Sequence, residues 1–269
     1  MSITLSYPSG GMLVTGGSGR VGRGIVRRIA EAGVPLVFTY RDSKVFSEGF
    51  EAELRDAGHA VRAIAMDMTD GASIQRALDL VVSEFGDIHG VACGAGEVVQ
   101  FNRIADFSIE QLERFIDRDA LGYYRVFHAA IPMLRARGGG SITACTTIAT
   151  RRVVAYDGMS PFSKGAVDAL VRQVAAEEAQ HGIRCNAIGM GWVEERTADE
   201  ARAQHPMPAS EPTDEAGRID ALMNQFFGIA KLGRPVTPSE AGDTYAFFAS
   251  DQARHLTGQF VYLDAGILL

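Results

Sequence analysis

Three glycines at three-residue spacing, Gly16, Gly19 and Gly22, form the stretch of this sequence best suited to binding chemistry. They follow a short apolar run at residues 12–14, and helical spacing of apolar residues begins at Val21. Glycines let the backbone turn sharply and approach a diphosphate closely, and the free N–H groups of a helix start attract its negative charge. The order of strand, glycine turn and helix therefore predicts a dinucleotide site, with a tight turn that binds no ligand as the alternative.

The composition is that of a globular protein, because 46% of the 269 residues are hydrophobic and 22% are charged. It predicts one large α/β domain spanning residues 1–269. The net charge of −7 argues against nucleic-acid binding. No apolar run approaches the roughly 18 residues that cross a membrane, and no secretion signal is recognisable, so a cytoplasmic protein is expected. Three cysteines in apolar runs predict buried thiols, and the six histidines show no metal-ligand spacing.

Strand and helix patterns alternate along the whole chain. Repeated units of this kind with apolar strands predict a doubly wound parallel sheet of about seven strands with helices on both faces. The strands are expected at residues 12–14, 34–40, 61–66, 88–93, 141–145, 183–188 and 259–263. A long helix is expected to open at the capping box of Ser108 and Gln111 and to bend or end near Pro132. Two further helices are expected at residues 163–181 and 237–249.

The segment from residue 194 to residue 228 interrupts this alternation and is turn-rich between residues 207 and 212. It follows the sixth strand, so it lies at the carboxyl edge of the sheet, where such sheets bind ligands. Met223, Phe226 and Phe227 give it apolar side chains that could close over a substrate. We predict a substrate-covering segment here, with a disordered surface excursion as the alternative.

Several further motifs are spread over nearly the whole chain: Thr15 with the glycine turn, Asp67-Met68, Ala95-Gly96, and the C-terminal residues 232–235 and 256–259. With these motifs the chain resembles the short-chain dehydrogenases/reductases. The glycine spacing is typical of the extended branch of that family, whereas the other motifs fit its single-domain branch. The resemblance implies a Rossmann fold, and because the C-terminal motifs help relatives to form tetramers, it also implies a homo-oligomer, either dimer or tetramer.

The resemblance further implies a nicotinamide dinucleotide as cofactor and a set of residues that hold it. These are Gly16, Ser18, Gly19, Arg20, Val21, Gly22, Tyr40, Arg41, Asp67, Met68, Gly94, Ala95, Gly96, Lys164, Gly191 and Val193. No metal is expected.

The choice of cofactor depends on the end of the second strand, where an acidic residue would bind an adenosine ribose 2′-hydroxyl and repel a 2′-phosphate. Tyr40 and Arg41 stand there, and Arg20 lies in the glycine turn. Two guanidinium groups favour NADP(H) over NAD(H), because arginine binds phosphate through two donors. Asp42 weakens this prediction, and a pair of solvated arginines is the alternative.

The catalytic positions depart from the family pattern. Lys164 stands where the family has its lysine, but Ser160 replaces the tyrosine four residues before it, Thr147 replaces the serine, and Asp119 corresponds to the family's asparagine. Further departures from the cofactor pattern are Cys93, Gly94, Met190 and Glu195. Reduction of a carbonyl needs a proton for the developing alkoxide, and a serine hydroxyl is a far weaker acid than a phenol with a pKa of about 10. The loss of tyrosine at position 160 therefore puts the usual proton donor in doubt.

Tyr156 offers a replacement for the missing phenol, since it stands eight residues before Lys164. Some enoyl-thioester reductases of this superfamily also carry their tyrosine farther from the lysine, seven residues before it. We therefore hypothesise that Tyr156 reaches the active site, with an ordinary packing role in a loop as the alternative.

Together these features predict an NADP(H)-dependent oxidoreductase that acts on a carbonyl, an alcohol or a conjugated enoyl group of a small apolar or aromatic substrate. Its catalytic set would be Thr147, Tyr156, Ser160, Lys164 and Asp119. The alternatives are a catalytically inactive nucleotide-binding or structural subunit that pairs with an active relative, and non-redox chemistry on the same fold.

Overall fold

The structure, a computed structural model, describes residues 4–196, 198–205 and 211–269, with the backbone alone at residues 198, 201 and 202. Seven parallel strands form one sheet in the order β3-β2-β1-β4-β5-β6-β7, which confirms the predicted doubly wound sheet. The strands are β1 Gly11–Thr15, β2 Leu36–Tyr40, β3 Val61–Ala65, β4 Ile88–Cys93, β5 Gly140–Thr147, β6 Ile183–Met190 and β7 Phe260–Leu263. No helix in the described part of the chain is long and apolar enough to cross a membrane.

Helices cover both faces of the sheet. Their bounds are α1 Arg20–Glu31, α2 Lys44–Asp56, α3 Gly71–Phe85, α4 Ile109–Arg118, α5 Ala120–Arg137, α6 Ser160–Glu178, α7 Ala198–Gln204, α8 Glu215–Ile229 and α9 Pro238–Ala249. Helices α3, α5 and α6 pack on one face and α1, α2 and α9 on the other, so the central strands are buried on both sides. Because both faces are covered, the carboxyl edge of the sheet is where loops are free to form a site.

Helices α1 and α9 pack so closely that side chains are excluded from their contact. A Cβ atom on Gly24 would lie 1.9 Å from the Pro238 carbonyl oxygen, and one on Gly242 would lie 2.3 Å from the Gly24 carbonyl oxygen. Glycine is required at both positions, since both helices are packed against the sheet and neither can move away from the other. This contact fixes the start of α1, and with it the glycine turn.

The predicted helix end near Pro132 is wrong, because the helix is interrupted at Asp119 instead. Helix α4 ends at Arg118 and α5 begins at Ala120, whereas Pro132 lies inside α5, which continues to Arg137. The side chain of Asp119 is held by two residues of α6, a tertiary contact that local sequence patterns do not reveal. Helix α6 also begins three residues earlier than expected, and Pro161 is tolerated because it falls in the first turn, where its missing N–H has no partner to lose.

The interrupted segment after β6 contains the helices α7 and α8. Residue 197 and residues 206–210, which include most of the turn-rich stretch, lie outside the described residues. Helix α8 buries Leu222, Met223 and Phe226 against the carboxyl edge of the sheet. The apolar side chains predicted to close this segment are therefore packed against the body of the protein.

The three cysteines are free and lie in strands as predicted, but the prediction of buried thiols is wrong for Cys145, which is only partly buried. Cys93 and Cys185 are fully buried, and burial raises the pKa of the Cys93 thiol to about 12. Such thiols stay protonated and act as small apolar side chains.

Candidate active site

The glycine turn between β1 and α1 exposes backbone that carries few side chains. Gly16 has a positive φ of 68°, and a Cβ atom there would lie 2.6 Å from the Ala95 Cα. A Cβ atom on Gly22 would lie 2.0 Å from the Gly16 carbonyl oxygen. Helix α1 begins after Gly19 with no side-chain cap, so its first N–H groups keep their capacity to bind an anion. The turn therefore fits a diphosphate group.

A cavity of about 300 Å³ opens beside this turn at the carboxyl ends of β1 to β4, and we name it the β1–β4 pocket. Its lining contains most of the predicted cofactor residues, namely Gly16, Ser18, Gly19, Tyr40, Arg41, Asp67, Met68, Gly94, Ala95 and Gly96. The remaining lining residues are Thr39, Asp42, Ser43, Met66, Glu97 and Arg118. The switch of strand order at β1 thus brings together residues that are up to 102 positions apart, from Gly16 to Arg118.

Asp67 is held as a carboxylate in this pocket. Hydrogen bonds from the Thr69 backbone N–H and hydroxyl, both at 2.8 Å, lower the pKa of its carboxyl group. Both bonds end on Oδ1, so Oδ2 keeps its capacity to accept a hydrogen bond from a ligand. This geometry suits the adenine contact implied for Asp67.

Two charged residues of the pocket, Glu97 and Arg118, were not predicted from the sequence, and neither were the lining residues Thr39, Ser43 and Met66. Arg118 donates through NH1 to Glu97 Oε2 at 2.9 Å, and Arg41 NH1 lies 3.6 Å from the same oxygen. The signal that could have found Glu97 is its position directly after the Ala95-Gly96 motif. Arg118 gave no local signal, because it reaches the pocket only through the break between α4 and α5.

Six predicted cofactor residues lie outside the lining of this pocket: Arg20, Val21, Gly22, Lys164, Gly191 and Val193. Arg20 donates through NH1 to the Val193 carbonyl oxygen at 3.2 Å and approaches Glu194, while Val21 packs against the α1 face of the sheet. The Gly191 N–H donates to the Leu263 carbonyl oxygen, and Val193 pairs with residue 236. Their roles in cofactor binding stay predictions.

A buried ion pair lies beside the far end of the pocket. Lys164 Nζ donates to Asp119 Oδ1 at 2.7 Å, and Ser163 Oγ donates to Asp119 Oδ2 at 2.5 Å. The ammonium also lies 4.2 Å from the centre of the Tyr123 ring, close enough for a cation–π contact. A Cβ atom on Gly96 would lie 3.3 Å from Asp119 Oδ1, so the pair adjoins the pocket wall.

The hydroxyl groups of Ser160 and Thr147 are already engaged. Ser160 donates its Oγ proton to Asp157, whose N-terminal neighbour is Tyr156. Burial raises the pKa of the Asp157 carboxyl, although the hydrogen bonds from Ser160 oppose this effect. Thr147 Oγ1 accepts the Ala149 N–H at 3.1 Å. Ser160 therefore lies in a local contact rather than pointing freely into a site.

Tyr156 has an unusual backbone conformation for a bulky residue, with a φ of 61°. Its carbonyl oxygen accepts the Asn102 N–H at 2.9 Å, which ties the segment before α6 to the loop after β4. Within the described residues its hydroxyl has no hydrogen-bond partner, so the phenol is available to a ligand. A strained backbone of this kind costs of the order of 1 kcal/mol and is often found at functional sites.

An apolar cluster covers the carboxyl ends of β5 and β6, and we name it the α8 cluster. Its buried members are Ile148, Ala149, Val154, Trp192, Leu222, Met223, Phe226 and Ile267. Trp192 stacks on Phe226 with ring centres 6.5 Å apart and meets Phe227 edge-on at 4.8 Å. Helix α8 is fastened to the loop after β4 by Arg218, which donates to the Phe101 carbonyl oxygen at 2.6 Å. The cluster forms an apolar wall next to Thr147 and Tyr156.

Comparison with known proteins places this arrangement in a family. A family model described as enoyl-(acyl carrier protein) reductase matches residues 18–268. The chain belongs to the short-chain dehydrogenase/reductase family. It is 31% identical to the oxidoreductase UcpA of Salmonella typhimurium over 259 residues, which are 96% of this chain and 94% of that protein.

Solved structures of the family superimpose over nearly the whole chain. A short-chain dehydrogenase/reductase of Mycobacterium ulcerans shares 26% identity at a TM-score of 0.84, covering 98% of this chain and 91% of that one. The NADPH-dependent 3-quinuclidinone reductase of Rhodotorula rubra shares 25% identity at a TM-score of 0.82, with 98% and 93% covered. The chain is therefore an oxidoreductase by family, with the nicotinamide cofactor that the family binds.

The residues present fit that cofactor. The glycine turn leaves no room for a Cβ atom, the start of α1 is uncapped, and the Asp67 carboxylate has an open oxygen in the pocket. At the other end of the site, Asp119 accepts a hydrogen bond from Lys164, and Ser160 donates one to Asp157.

Proposed function

We propose that this chain is an NADP(H)-dependent oxidoreductase that reduces a carbonyl or enoyl group or oxidises an alcohol. The observation that carries the proposal is the β1–β4 pocket, where Arg41 follows β2 in place of an acidic residue and Arg118 adds a second guanidinium. Guanidinium groups bind phosphate through paired donors, and a 2′-phosphate is what distinguishes NADP(H) from NAD(H). The name of the Rhodotorula relative, an NADPH-dependent reductase, supports this choice.

When bound, a nicotinamide cofactor supplies or accepts the hydride. The residues of this chain would hold it along one line at the carboxyl edge of the sheet. The glycine turn at residues 16–19 would bind the diphosphate, Asp67 would accept from the adenine, and Lys164 would contact the nicotinamide ribose. Asp119 holds the Lys164 side chain in position for this contact.

We assign the proton transfer to Tyr156. The hydroxyl proton of Ser160 is committed to Asp157, and a serine is in any case too weak an acid to replace a phenol. Tyr156 carries a phenol with no other hydrogen-bond partner among the described residues, and its backbone is strained. In the direction of reduction, Tyr156 gives its proton to the developing alkoxide, and Thr147 helps to orient the substrate oxygen.

The substrate in this proposal is a small apolar or aromatic molecule. The α8 cluster offers Trp192, Met223 and Phe226 as contact surface, and these side chains favour apolar rings over small polar substrates. Residues 194–228 serve as the substrate-covering segment, whose helix α8 moves to admit the substrate.

We also propose a homo-oligomer, either dimer or tetramer. Leu121, Tyr124 and Phe162 are large apolar side chains that are 45%, 52% and 58% exposed on the neighbouring helices α5 and α6. Exposed apolar side chains close together are typical of protein interfaces. Sedimentation velocity of the purified chain checks this, and a monomer at micromolar concentration contradicts it.

The main proposal is tested by binding first and turnover second. Titration with NADPH and NADH, followed by fluorescence, is expected to show tighter binding of NADPH. Assays on a panel of aromatic ketones and enoyl thioesters are then expected to show turnover with the bound cofactor. Binding without any turnover would instead favour an inactive subunit, and an empty site with both cofactors would remove the enzyme function altogether.

A further inference from the structure

Glu97 lies between two arginines at the wall of the β1–β4 pocket. Its Oε2 accepts from Arg118 NH1 at 2.9 Å and lies 3.6 Å from Arg41 NH1. The Glu97 side chain is only 12% exposed, so water screens this contact less than it screens a surface ion pair. One carboxylate oxygen thus faces two guanidinium groups, which is also how a phosphate is bound by a pair of arginines.

The other carboxylates of the pocket are placed differently. Asp42 accepts from the Nε edge of Arg41 at 2.7 Å, but its side chain is 81% exposed and therefore well screened. Asp67 is held by Thr69 and has no direct ion pair with either arginine among the described contacts. Among the described residues of the pocket, Glu97 is the carboxylate that lies within 4 Å of both arginines, through the NH1 group of each.

We propose that Glu97 is an internal competitor for the 2′-phosphate of the cofactor. A 2′-phosphate that binds Arg41 and Arg118 competes with Glu97 for the Arg118 NH1 donor and for the attraction of both guanidinium groups, and it is repelled by the Glu97 charge. The 2′-hydroxyl of NAD(H) carries no charge and meets neither effect. Glu97 therefore weakens NADP(H) binding selectively, and Arg118 is a second phosphate ligand beside Arg41.

This inference rests on the proposed function as a nicotinamide-dependent enzyme and adds to it the residue that sets the ratio between the two cofactors. The ratio follows from the charges at the pocket wall. Two guanidinium groups face three carboxylates here, so that loss of the Glu97 charge leaves two against two. A change of one charge at this distance is large enough to measure in a binding constant.

The test is calorimetric titration of the wild-type chain and of Glu97→Gln with four probes: NADPH, NADH, 2′-AMP and 5′-AMP. Removal of the carboxylate charge is expected to tighten NADPH and 2′-AMP binding about fivefold while NADH and 5′-AMP change less than about twofold. Glu113→Gln, which removes an exposed carboxylate from the same helix as Arg118, is the matched control and is expected to change none of the four constants.

A second variant keeps the test decisive if Glu97→Gln does not fold. Arg118→Gln is expected to weaken NADPH and 2′-AMP about tenfold and to leave NADH and 5′-AMP nearly unchanged, because it removes one phosphate ligand. An unchanged ratio of the NADPH and NADH constants in Glu97→Gln overturns the inference, as does an Arg118→Gln variant that binds NADPH as tightly as the wild type.

Failure of the proposed function is recognised separately. A wild type that binds none of the four probes removes the nucleotide site, and the inference with it. A wild type that prefers NADH, together with a shift toward NADPH in Glu97→Gln, contradicts the cofactor preference but supports the role of Glu97.

Discussion

The β1–β4 pocket is open and lined with charged side chains, whereas the α8 cluster at the same edge of the sheet is closed and apolar. The first is built by the loops that follow β1 to β4 and by the end of α4, and it contains a cavity of about 300 Å³. The second is built by residues after β5 and β6 together with α8, which packs in one cluster with Ile148 and Ala149, the residues that follow Thr147. In our proposal these two regions are the halves of one site: the charged half keeps its shape when the cofactor binds, and α8 moves to admit the substrate into the apolar half.

This difference indicates how binding energy is used in the two halves. Charged groups that the fold holds in place lose little conformational entropy when they bind a charged cofactor. An apolar cluster that packs against itself must exchange its own contacts for those of the substrate. We therefore expect the cofactor half to determine affinity and the α8 half to determine substrate choice.

The largest effect on activity is expected from removal of Tyr156, the proton donor that we place between the two halves of the site. Tyr156→Phe is expected to lower kcat by about 10² to 10⁴, because general acid catalysis contributes a factor of that size. Ser160→Ala is expected to keep kcat within about threefold, since its hydroxyl is bonded to Asp157. Steady-state kinetics on an accepted substrate measure both, and cofactor titration confirms that binding is retained.

The opposite result, an inactive Ser160→Ala and an active Tyr156→Phe, would return the donor role to the family position and leave Tyr156 with a packing role only.

The buried pair beside Gly96 should matter for stability more than any surface ion pair. Lys164→Met leaves the buried Asp119 carboxylate with Ser163 as its remaining partner and is expected to lower the free energy of unfolding by about 3 kcal/mol or more. Lys44→Met, which breaks an exposed pair with Glu48, is the control and is expected to cost less than about 0.5 kcal/mol. Urea unfolding measures both, and equal losses in the two variants would refute the buried pair as a structural element.

Phe226→Ala in the α8 cluster tests whether the substrate and the cofactor are bound by separate halves of the site. Loss of the ring is expected to raise KM for an apolar substrate about tenfold, while the Kd for NADPH changes less than about twofold. The emission of Trp192, the single tryptophan of the chain, reports on this cluster directly because it stacks on Phe226. A variant that loses NADPH affinity as strongly as substrate affinity contradicts the separation.

A smaller effect on stability is expected at Glu194. Its carboxylate forms ion pairs with Arg20, at the start of α1, and with Arg196. Burial alone would raise the pKa of Glu194, but hydrogen bonds from Arg196 and two backbone N–H groups hold it at about 2, below the ordinary 4.5. Because the folded pKa is the lower one, the stabilisation is complete above the ordinary value and is lost as the pH falls toward 2.

Glu194→Gln is therefore expected to lower the free energy of unfolding by about 1 kcal/mol at neutral pH, after allowance for the exposed arginines, and the deficit should vanish in acid. Denaturant unfolding at a series of pH values tests this, with Glu48→Gln as the exposed control. A deficit that does not depend on pH means that packing, not charge, is lost.

Local sequence patterns were enough to predict the sheet and most of the cofactor residues that line the β1–β4 pocket. Apolar strands alternate with amphipathic helices, and each pattern is local, so seven strands and their order of appearance could be predicted. The glycine turn, Asp67 and Ala95-Gly96 directly follow strands, and parallel strands bring such residues to one edge. This is why most of the predicted cofactor residues line the β1–β4 pocket.

Contacts between residues far apart in the chain could not be predicted from the sequence and became visible in the tertiary structure. Asp119 and Lys164 form an ion pair across 45 positions, and the helix is interrupted at Asp119, whereas it continues through Pro132. The placement of Glu97 between Arg41 and Arg118 depended on the meeting of two loops, after β2 and after β4, with the end of α4. Such contacts depend on how packed elements are oriented, and no periodicity in the sequence records that orientation.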